Sequence, residues 1–321
     1  MELRSAIALV LLMVTVITEV AWCSVDLVRE DLKEVATPRV SPIDEGSMQT
    51  ILYGVQHEQP ESLYLLAMMK FYGHGVDQHV DAAVALLRRA AERGHRDAEF
   101  ALGVLYGRGE GVPRSDSLSA SWLAKSAARG HTDAKWMLAT MYNEDRGVNE
   151  DVDRAVELLV DATSSGSGYA TFHLGVMHEY GRGVQQNFKQ AAELYQLASE
   201  QQVAEAFYYL GLLYLQGRGV EQSFERAREK FQEAVNLGSA QAMYALGQLY
   251  VHGQGSAVDY SQALYWLKRA AQQKDFRISA TALTVADEIE LVLSQAELYV
   301  QENERLLGMP IRVQIGTIDN Q

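Results

Sequence analysis

Cysteine is almost absent from this 321-residue chain, in which Cys23 is the single one. Without further cysteines the chain cannot form a disulfide framework, so its apolar core has to stabilise the fold alone. Basic residues are also scarce, with 28 Lys and Arg against 42 Asp and Glu and a formal net charge of −14. Because an acidic chain repels phosphate backbones, we expect no nucleic-acid partner.

Long apolar runs are confined to the N-terminus, where Ser5–Ile17 follows a short start that contains one Arg. The run is too short for a comfortable membrane span, and Ala21 and Cys23 place small residues at positions −3 and −1 of a cut. We therefore expect a cleaved secretory signal over residues 1–23. An uncleaved signal anchor is the alternative, and this anchor or a membrane-bound partner would be the chain's only link to a membrane.

Sequence motifs typical of catalytic and metal-binding sites are also missing. No G-x-S-x-G elbow is present, and the serines are scattered among turns and helix ends. His74 with His79, and His173 with His178, are each five residues apart, which is the wrong spacing to share a helix face. No cysteine accompanies them. The sequence therefore predicts no catalytic residue, no metal site and no cofactor.

A 36-residue repeat dominates what the sequence does contain. Leucine recurs at positions 66, 102, 138, 174, 210 and 246, and glycine at positions 75, 111, 147, 183, 219 and 255. A glycine loop that binds phosphate occurs once in a nucleotide-binding domain and follows a strand. Six copies of the glycine at one period indicate instead a turn that every repeat contains. Six units run without insertion: Ser62–Asp97, Ala98–Asp133, Ala134–Tyr169, Ala170–Glu205, Ala206–Gln241 and Ala242–Arg277.

Each unit reads as a helix, a turn and a second helix. One helix face holds a small residue at the start of a unit, Leu four residues on, Leu or Met at position seven and usually Tyr at position eight. Lys70 and His178 are the exceptions at position eight. Glycine beside the leucine predicts close packing of another helix, and the loop glycines are expected to end the first helix. One column predicts the N-caps of the second helices: Ser115, Asp151, Asn187, Ser223 and Asp259. Because one unit cannot bury its apolar faces alone, neighbouring units are expected to stack into an all-α, right-handed α-solenoid.

The flanks complete the expected domain organisation. Residues 24–61 are expected to form a linker, centred on Ala36–Ser47, and an N-terminal cap. The six repeats occupy residues 62–277. Ile278–Leu307 is helical in pattern and is expected to cap the open end of the stack with a more polar face. Residues 308–321 form a tail.

The repeat resembles the Sel1-like repeat, a member of the tetratricopeptide-like helical repeat superfamily. The second unit carries the pattern at Ala98, Leu102, Gly103, Tyr106, Gly109, Gly111 and Val112, and the third departs from it with Asp145 at the first loop glycine. The resemblance implies a non-enzymatic adaptor or scaffold that binds proteins. With a signal sequence, the chain is similar to lumenal subunits of ubiquitin-ligase complexes of the endoplasmic reticulum (ER), which receive misfolded clients in ER-associated degradation (ERAD).

Three alternatives to this ER-lumenal adaptor remain open. The first is a bacterial exported or periplasmic protein that binds other proteins through the same repeats. The second is a hydrolase acting on cell-wall or β-lactam ligands, against which the missing cysteines and nucleophile speak. The third is a purely structural spacer, which would tolerate substitutions on its binding face.

The candidate binding surface is the face of the first helices, which would line the concave side of such a solenoid. Position two of every unit is aromatic, and positions six and nine share its face and vary most between units. Aromatic anchors with polar neighbours are typical of binding hot spots for a protein or peptide. The alternative is that the rings pack between neighbouring first helices and only fill the stack. The predicted contact residues are Phe100, Trp136, Thr140, Asn143, Phe172, Val176, Glu179, Tyr208, Leu212, Leu215, Tyr244 and Gln248.

Overall fold

The computed structural model describes residues 45–273 and 275–307. The predicted signal over residues 1–23, most of the linker and the tail over residues 308–321 lie outside this range. Within it the chain forms two compact units, one ending at residue 185 and the other beginning at residue 186.

The described residues contain fourteen α-helices and no strand, which confirms the all-α prediction. The first unit holds α1 (Glu45–Gln56), α2 (Pro60–Tyr72), α3 (Val80–Glu92), α4 (Arg96–Arg108), α5 (Asp116–Ala128), α6 (Thr132–Asn143), α7 (Val152–Ser164) and α8 (Gly168–Tyr180). The second unit holds α9 (Phe188–Glu200), α10 (Ala204–Gln216), α11 (Phe224–Asn236), α12 (Ala240–His252), α13 (Tyr260–Ala271) and α14 (Phe276–Leu307). Within each unit every helix packs against its neighbours along the chain, as in an α-solenoid.

Left-handed residues end the first helix of the repeats, as predicted. Five of these helices end at glycine C-caps with positive φ, namely Gly73, Gly109, Gly181, Gly217 and Gly253. In the third repeat Asp145 takes the same conformation, with φ of 52°. Aspartate tolerates this region better than most residues, and the Oδ1 of Asp145 accepts a hydrogen bond from the Glu150 N–H at 3.1 Å. The turn is therefore kept without its glycine.

All five predicted N-caps of the second helices are confirmed. The side chains of Ser115, Asp151, Asn187, Ser223 and Asp259 each accept a hydrogen bond from the backbone N–H three residues on. Each cap satisfies one of the backbone donors that a helix leaves unpaired at its start.

Helical glycines mark where the two helices of a repeat come closest. A Cβ atom on Gly103 would lie 2.7 Å from Leu123 Cγ, and one on Gly211 would lie 2.6 Å from Phe231 Cε1. The same holds for Gly247 and Leu267, at 2.7 Å. Both Phe231 and Leu267 are fully buried. The prediction that these glycines admit a close neighbouring helix is confirmed.

The terminal helices differ from the repeats. Helix α1 begins at Glu45, inside the stretch expected as a linker, and packs against α2. Helix α14 has 32 residues, whereas the repeat helices have 12 or 13. Ala282, Val285 and Ala286 on its inner face join the core formed by α10–α13. Its outer face is less polar than expected, because three leucines are exposed there.

Candidate protein-binding surface

In the first unit, the predicted aromatic contact residues are buried. Phe100, Trp136 and Phe172 are 6%, 9% and 1% exposed. The Phe100 ring stacks on the imidazole of His131, with centroids 4.2 Å apart, and the Trp136 ring stacks on His173 at 5.4 Å. The rings of Phe100 and Trp136 are thus covered by histidines at the N-terminal end of the next repeat's first helix. The burial of these three rings agrees with the alternative that they fill the stack, and their contact with a partner stays a prediction.

The other predicted residues of the first unit form a mixed surface. Thr140, Asn143 and Val176 are half-buried, whereas Glu179 is 3% exposed. The Thr140 hydroxyl donates to the Met137 carbonyl of its own helix at 2.7 Å. These three half-buried side chains offer a small, partly polar area without a large apolar anchor.

In the second unit, all the predicted residues are half-buried. Tyr208, Leu212 and Leu215 lie on α10 and Tyr244 on α12, and each packs on one side against the unit's core. We call these four residues the α10–α12 strip. Their other sides face solvent, so this strip presents large apolar side chains on two first helices of consecutive repeats.

Polar groups hold the strip in place. Gln248 Nε2 donates to the Tyr244 hydroxyl at 2.9 Å. Burial raises the pKa of Tyr244, the hydrogen bond from Gln248 acting in the opposite direction, so the hydroxyl stays neutral at physiological pH. At the ends of the two helices Gln216 and His252 are exposed. The strip therefore combines apolar anchors, the fixed hydroxyl group of Tyr244 and a polar border.

A row of histidines between repeats was missed by sequence reasoning. His95 and His131 are the N-caps of α4 and α6, and the Nδ1 atom of each accepts a backbone N–H. The imidazole of His95 also meets the Glu61 carboxylate, with 2.8 Å between Nε2 and Oε2. Because Nδ1 accepts, Nε2 carries the proton and donates. The sequence could have indicated this role, because the equivalent positions of two other repeats are Ser167 and Ser239, which are also N-caps.

Two histidines resist protonation, namely His131 of this row and His173 on α8. Burial lowers the pKa of His131, opposed in part by Asp133 and Asp97. Burial lowers the pKa of His173 to about 4. Both rings stack on aromatic side chains of the preceding first helix, so they serve as packing groups.

No cluster of three or more metal-ligating side chains occurs within residues 45–273 and 275–307. Across the same part of the chain, no helix combines the length and the apolar character needed to span a membrane.

The comparisons with known proteins agree with the observed repeat. The profile of the Sel1 repeat matches six consecutive segments, 60–95, 96–131, 132–167, 168–203, 204–239 and 240–275. Each match begins two residues before the unit that starts at the small residue. No curated protein matches the chain significantly.

Solved structures with the same fold come from bacteria. The chain is 27% identical to c5321, described as a protective antigen present in uropathogenic Escherichia coli strains, with a TM-score of 0.63. That similarity covers 72% of this chain and 49% of c5321, so the chain spans about half the antigen's length. A Sel1 repeat protein from Oxalobacter formigenes is 23% identical with a TM-score of 0.68, over 77% of this chain and 97% of that one.

Proposed function

Because the chain belongs to the Sel1 repeat family, we propose that it is a non-enzymatic adaptor that binds another protein through the α10–α12 strip. Sel1 repeats in general form protein-interaction scaffolds. The observation that carries the proposal is the half exposure of Tyr208, Leu212, Leu215 and Tyr244 on two first helices of consecutive repeats. The smaller area at Thr140, Asn143 and Val176 is a secondary contact.

The strip has the character of a hot spot. Large apolar side chains that are already half packed lose little conformational freedom when a partner covers them. Tyrosine contributes a rigid ring and a hydroxyl that can pair at the edge of the contact. A protein or peptide with apolar side chains is therefore the expected ligand, on the face that the repeat pattern predicts to be concave.

We further propose that the adaptor acts in the secretory pathway, in ER-lumenal quality control of the ERAD type. Support comes from the N-terminal signal pattern over residues 1–23 and from the resemblance of the repeats to those of lumenal ubiquitin-ligase subunits. A bacterial exported interaction protein is the second candidate, favoured by the 27% identity to the E. coli antigen.

Photo-crosslinking tests the binding surface. The full chain is made with benzoylphenylalanine at position 212 or 215, and at position 118 as a control, because Leu118 is 44% exposed on a second helix. The proposal predicts discrete crosslinked partners from positions 212 and 215 that are absent from position 118. It also predicts that Tyr208→Ala with Tyr244→Ala removes them while circular dichroism still shows a folded chain. Equal patterns from all three positions would remove the strip from consideration.

An added glycosylation site tests the location. The chain has no Asn-x-Ser/Thr sequon, so a sequon appended at the C-terminus reports whether the chain enters the ER. The ER proposal predicts a glycan sensitive to endoglycosidase H when the full chain is expressed in eukaryotic cells. If the chain stays unglycosylated there but is released to the periplasm in E. coli, the bacterial candidate replaces it.

A further inference from the structure

The outer face of α14 carries three leucines that the described part of the chain leaves exposed. Leu283, Leu291 and Leu298 are 51%, 58% and 64% exposed. Their spacing of eight and seven residues places them on one side of the helix, within about 80° of each other. This side lies opposite Ala282, Val285, Ala286 and Ile289, which the core already covers. The leucines are therefore an outward-facing stripe about 22 Å long, from the rise per residue of an α-helix.

Carboxylates lie beside this stripe and within it, because helical geometry places the exposed Asp287 between Leu283 and Leu291. By helical geometry Glu290 and Glu297 lie along one edge and Glu302 along the other. From residue 287 to residue 305 the helix has six acidic residues and one basic residue, Arg305. Exposed leucines with carboxylates beside and between them can bind an amphipathic helix whose leucines are flanked by basic residues.

We propose that this outer face of α14 binds an amphipathic helix of another protein, whose apolar stripe is flanked by Lys and Arg. The partner helix needs about 15 residues to cover the three leucines. A contact within the chain shows the chemistry expected at the edges, because Lys268 Nζ of α13 meets Glu290 Oε1 at 2.5 Å. The partner would extend this pairing to Glu297 and Glu302.

Charge argues against a second copy of this chain as the occupant. Two α14 helices face to face would bring their acidic edges together, and like charges placed opposite each other disfavour a contact. The surface is separate from the α10–α12 strip in both residues and helices. The proposal therefore stands or falls independently of the function proposed above.

A designed peptide supplies the probe. A fluorescein-labelled 21-residue helix with leucines at heptad spacing and flanking lysines is titrated with the full chain. Two matched peptides serve as controls, one with glutamate in place of lysine and one with the lysine peptide's composition in scrambled order. Fluorescence anisotropy is measured at 150 mM and 500 mM salt. We expect the lysine peptide to bind at least tenfold more tightly than either control, and more weakly at the higher salt concentration.

Paired variants of the full chain identify the surface. Leu291→Ser with Leu298→Ser should weaken binding of the lysine peptide at least tenfold. Leu118→Ser with Leu197→Ser should leave it unchanged, since both residues are 44% exposed on second helices. Glu297→Lys with Glu302→Lys should reverse the preference, so that the glutamate peptide binds better. Circular dichroism confirms that each variant is folded.

Three results would overturn the proposal. Equal binding of the lysine and scrambled peptides would mean that charge alone attracts them. Unchanged binding by the double leucine variant would place the contact elsewhere. Sedimentation that shows a dimer of the native chain, lost in the double leucine variant, would make a second copy the occupant. A variant of the α10–α12 strip, Leu212→Ser with Leu215→Ser, should still bind the lysine peptide, which keeps the two proposals separable.

Discussion

Two glycines of the second unit allow the effect of a steric clash on stability to be separated from the effect of left-handed backbone. Gly219 and Gly238 both have positive φ, 70° and 90°. A Cβ on Gly219 would lie 2.3 Å from the carbonyl carbon and oxygen of Phe188, at the N-terminus of α9. A Cβ on Gly238 would meet nothing within 4 Å. Replacing each glycine by alanine therefore adds the same conformational strain but only one steric conflict.

The expected magnitudes follow from this difference. Left-handed backbone costs an L-residue about 1–2 kcal/mol, and this is the whole expected loss for Gly238→Ala. Gly219→Ala must also displace backbone, and overpacking of this kind adds about 1–3 kcal/mol. Gly219→Val should lose at least as much as Gly219→Ala. For a unit of this size the loss lowers Tm by roughly 2–4 °C per kcal/mol.

Urea unfolding followed by circular dichroism measures the pair. We expect the free energy of unfolding of Gly219→Ala to fall below that of Gly238→Ala by at least about 1 kcal/mol. If the free energy of unfolding depends on urea concentration as steeply in the variants as in the native chain, the variants unfold in the same way. Equal losses for the two variants would refute the reasoning, because the turn at Gly219 would then have room for a side chain.

Three further changes test other features. Burial lowers the pKa of His173 to about 4, so between about pH 6.5 and pH 4 this histidine is protonated in the unfolded chain but not in the folded chain. The free energy of unfolding should therefore fall as the pH drops through this window, by about 2 kcal/mol at pH 5. Urea unfolding of His173→Gln should show a weaker dependence of the free energy of unfolding on pH. Glu99 is 2% exposed, and Arg129 Nε donates to both of its carboxylate oxygens at 3.2 and 3.1 Å. Arg129→Met should therefore lower the free energy of unfolding by about 2–3 kcal/mol in the same assay. A loss below about 0.5 kcal/mol would show that water replaces the guanidinium. Asn187→Ala removes the N-cap of α9 and should lower the free energy of unfolding by about 1 kcal/mol, whereas Asn187→Ser should keep it.

Local rules account for what was predictable from the sequence. The N-caps Ser115 and Asp151 and the left-handed turns follow from the chemistry of a few neighbouring residues, which repeats every 36 positions. The close approach at Gly211 was also predictable, because a helical glycine is unfavourable unless something packs against it.

The exposure of the candidate surface was harder to predict. Sequence periodicity indicates on which face of a helix a residue lies, but not which other residues cover that face. Phe100 and Phe172 share a column with Tyr208 and Tyr244, yet the first two rings are buried and the last two are half-buried. The hydroxyl offers a physical reason, since a tyrosine ring keeps its polar end near water or a hydrogen-bond partner. Reading the column by ring type would have separated its two parts.

The outer face of α14 was missed for a different reason. The abundance of Glu and Gln in Ile278–Leu307 predicted a polar outer face for the terminal helix. Composition averages over all sides of a helix, however, and the shared face of Leu283, Leu291 and Leu298 was hidden by the acidic residues between them. A face-by-face reading of the helix reveals the stripe.

The helix contacts of each unit have a consequence for the way the protein is made. Within each of the two described units, the main contacts of a helix are with those next to it in sequence or one further along. Contacts of such short range favour rapid folding, because little chain entropy is lost in forming them. During synthesis from the N-terminus, each helix of a unit can dock on the preceding helices of that unit as soon as it has emerged. A newly made chain therefore exposes only its most recent repeat to aggregation or proteolysis, and it needs no distant segment before its earlier repeats are protected.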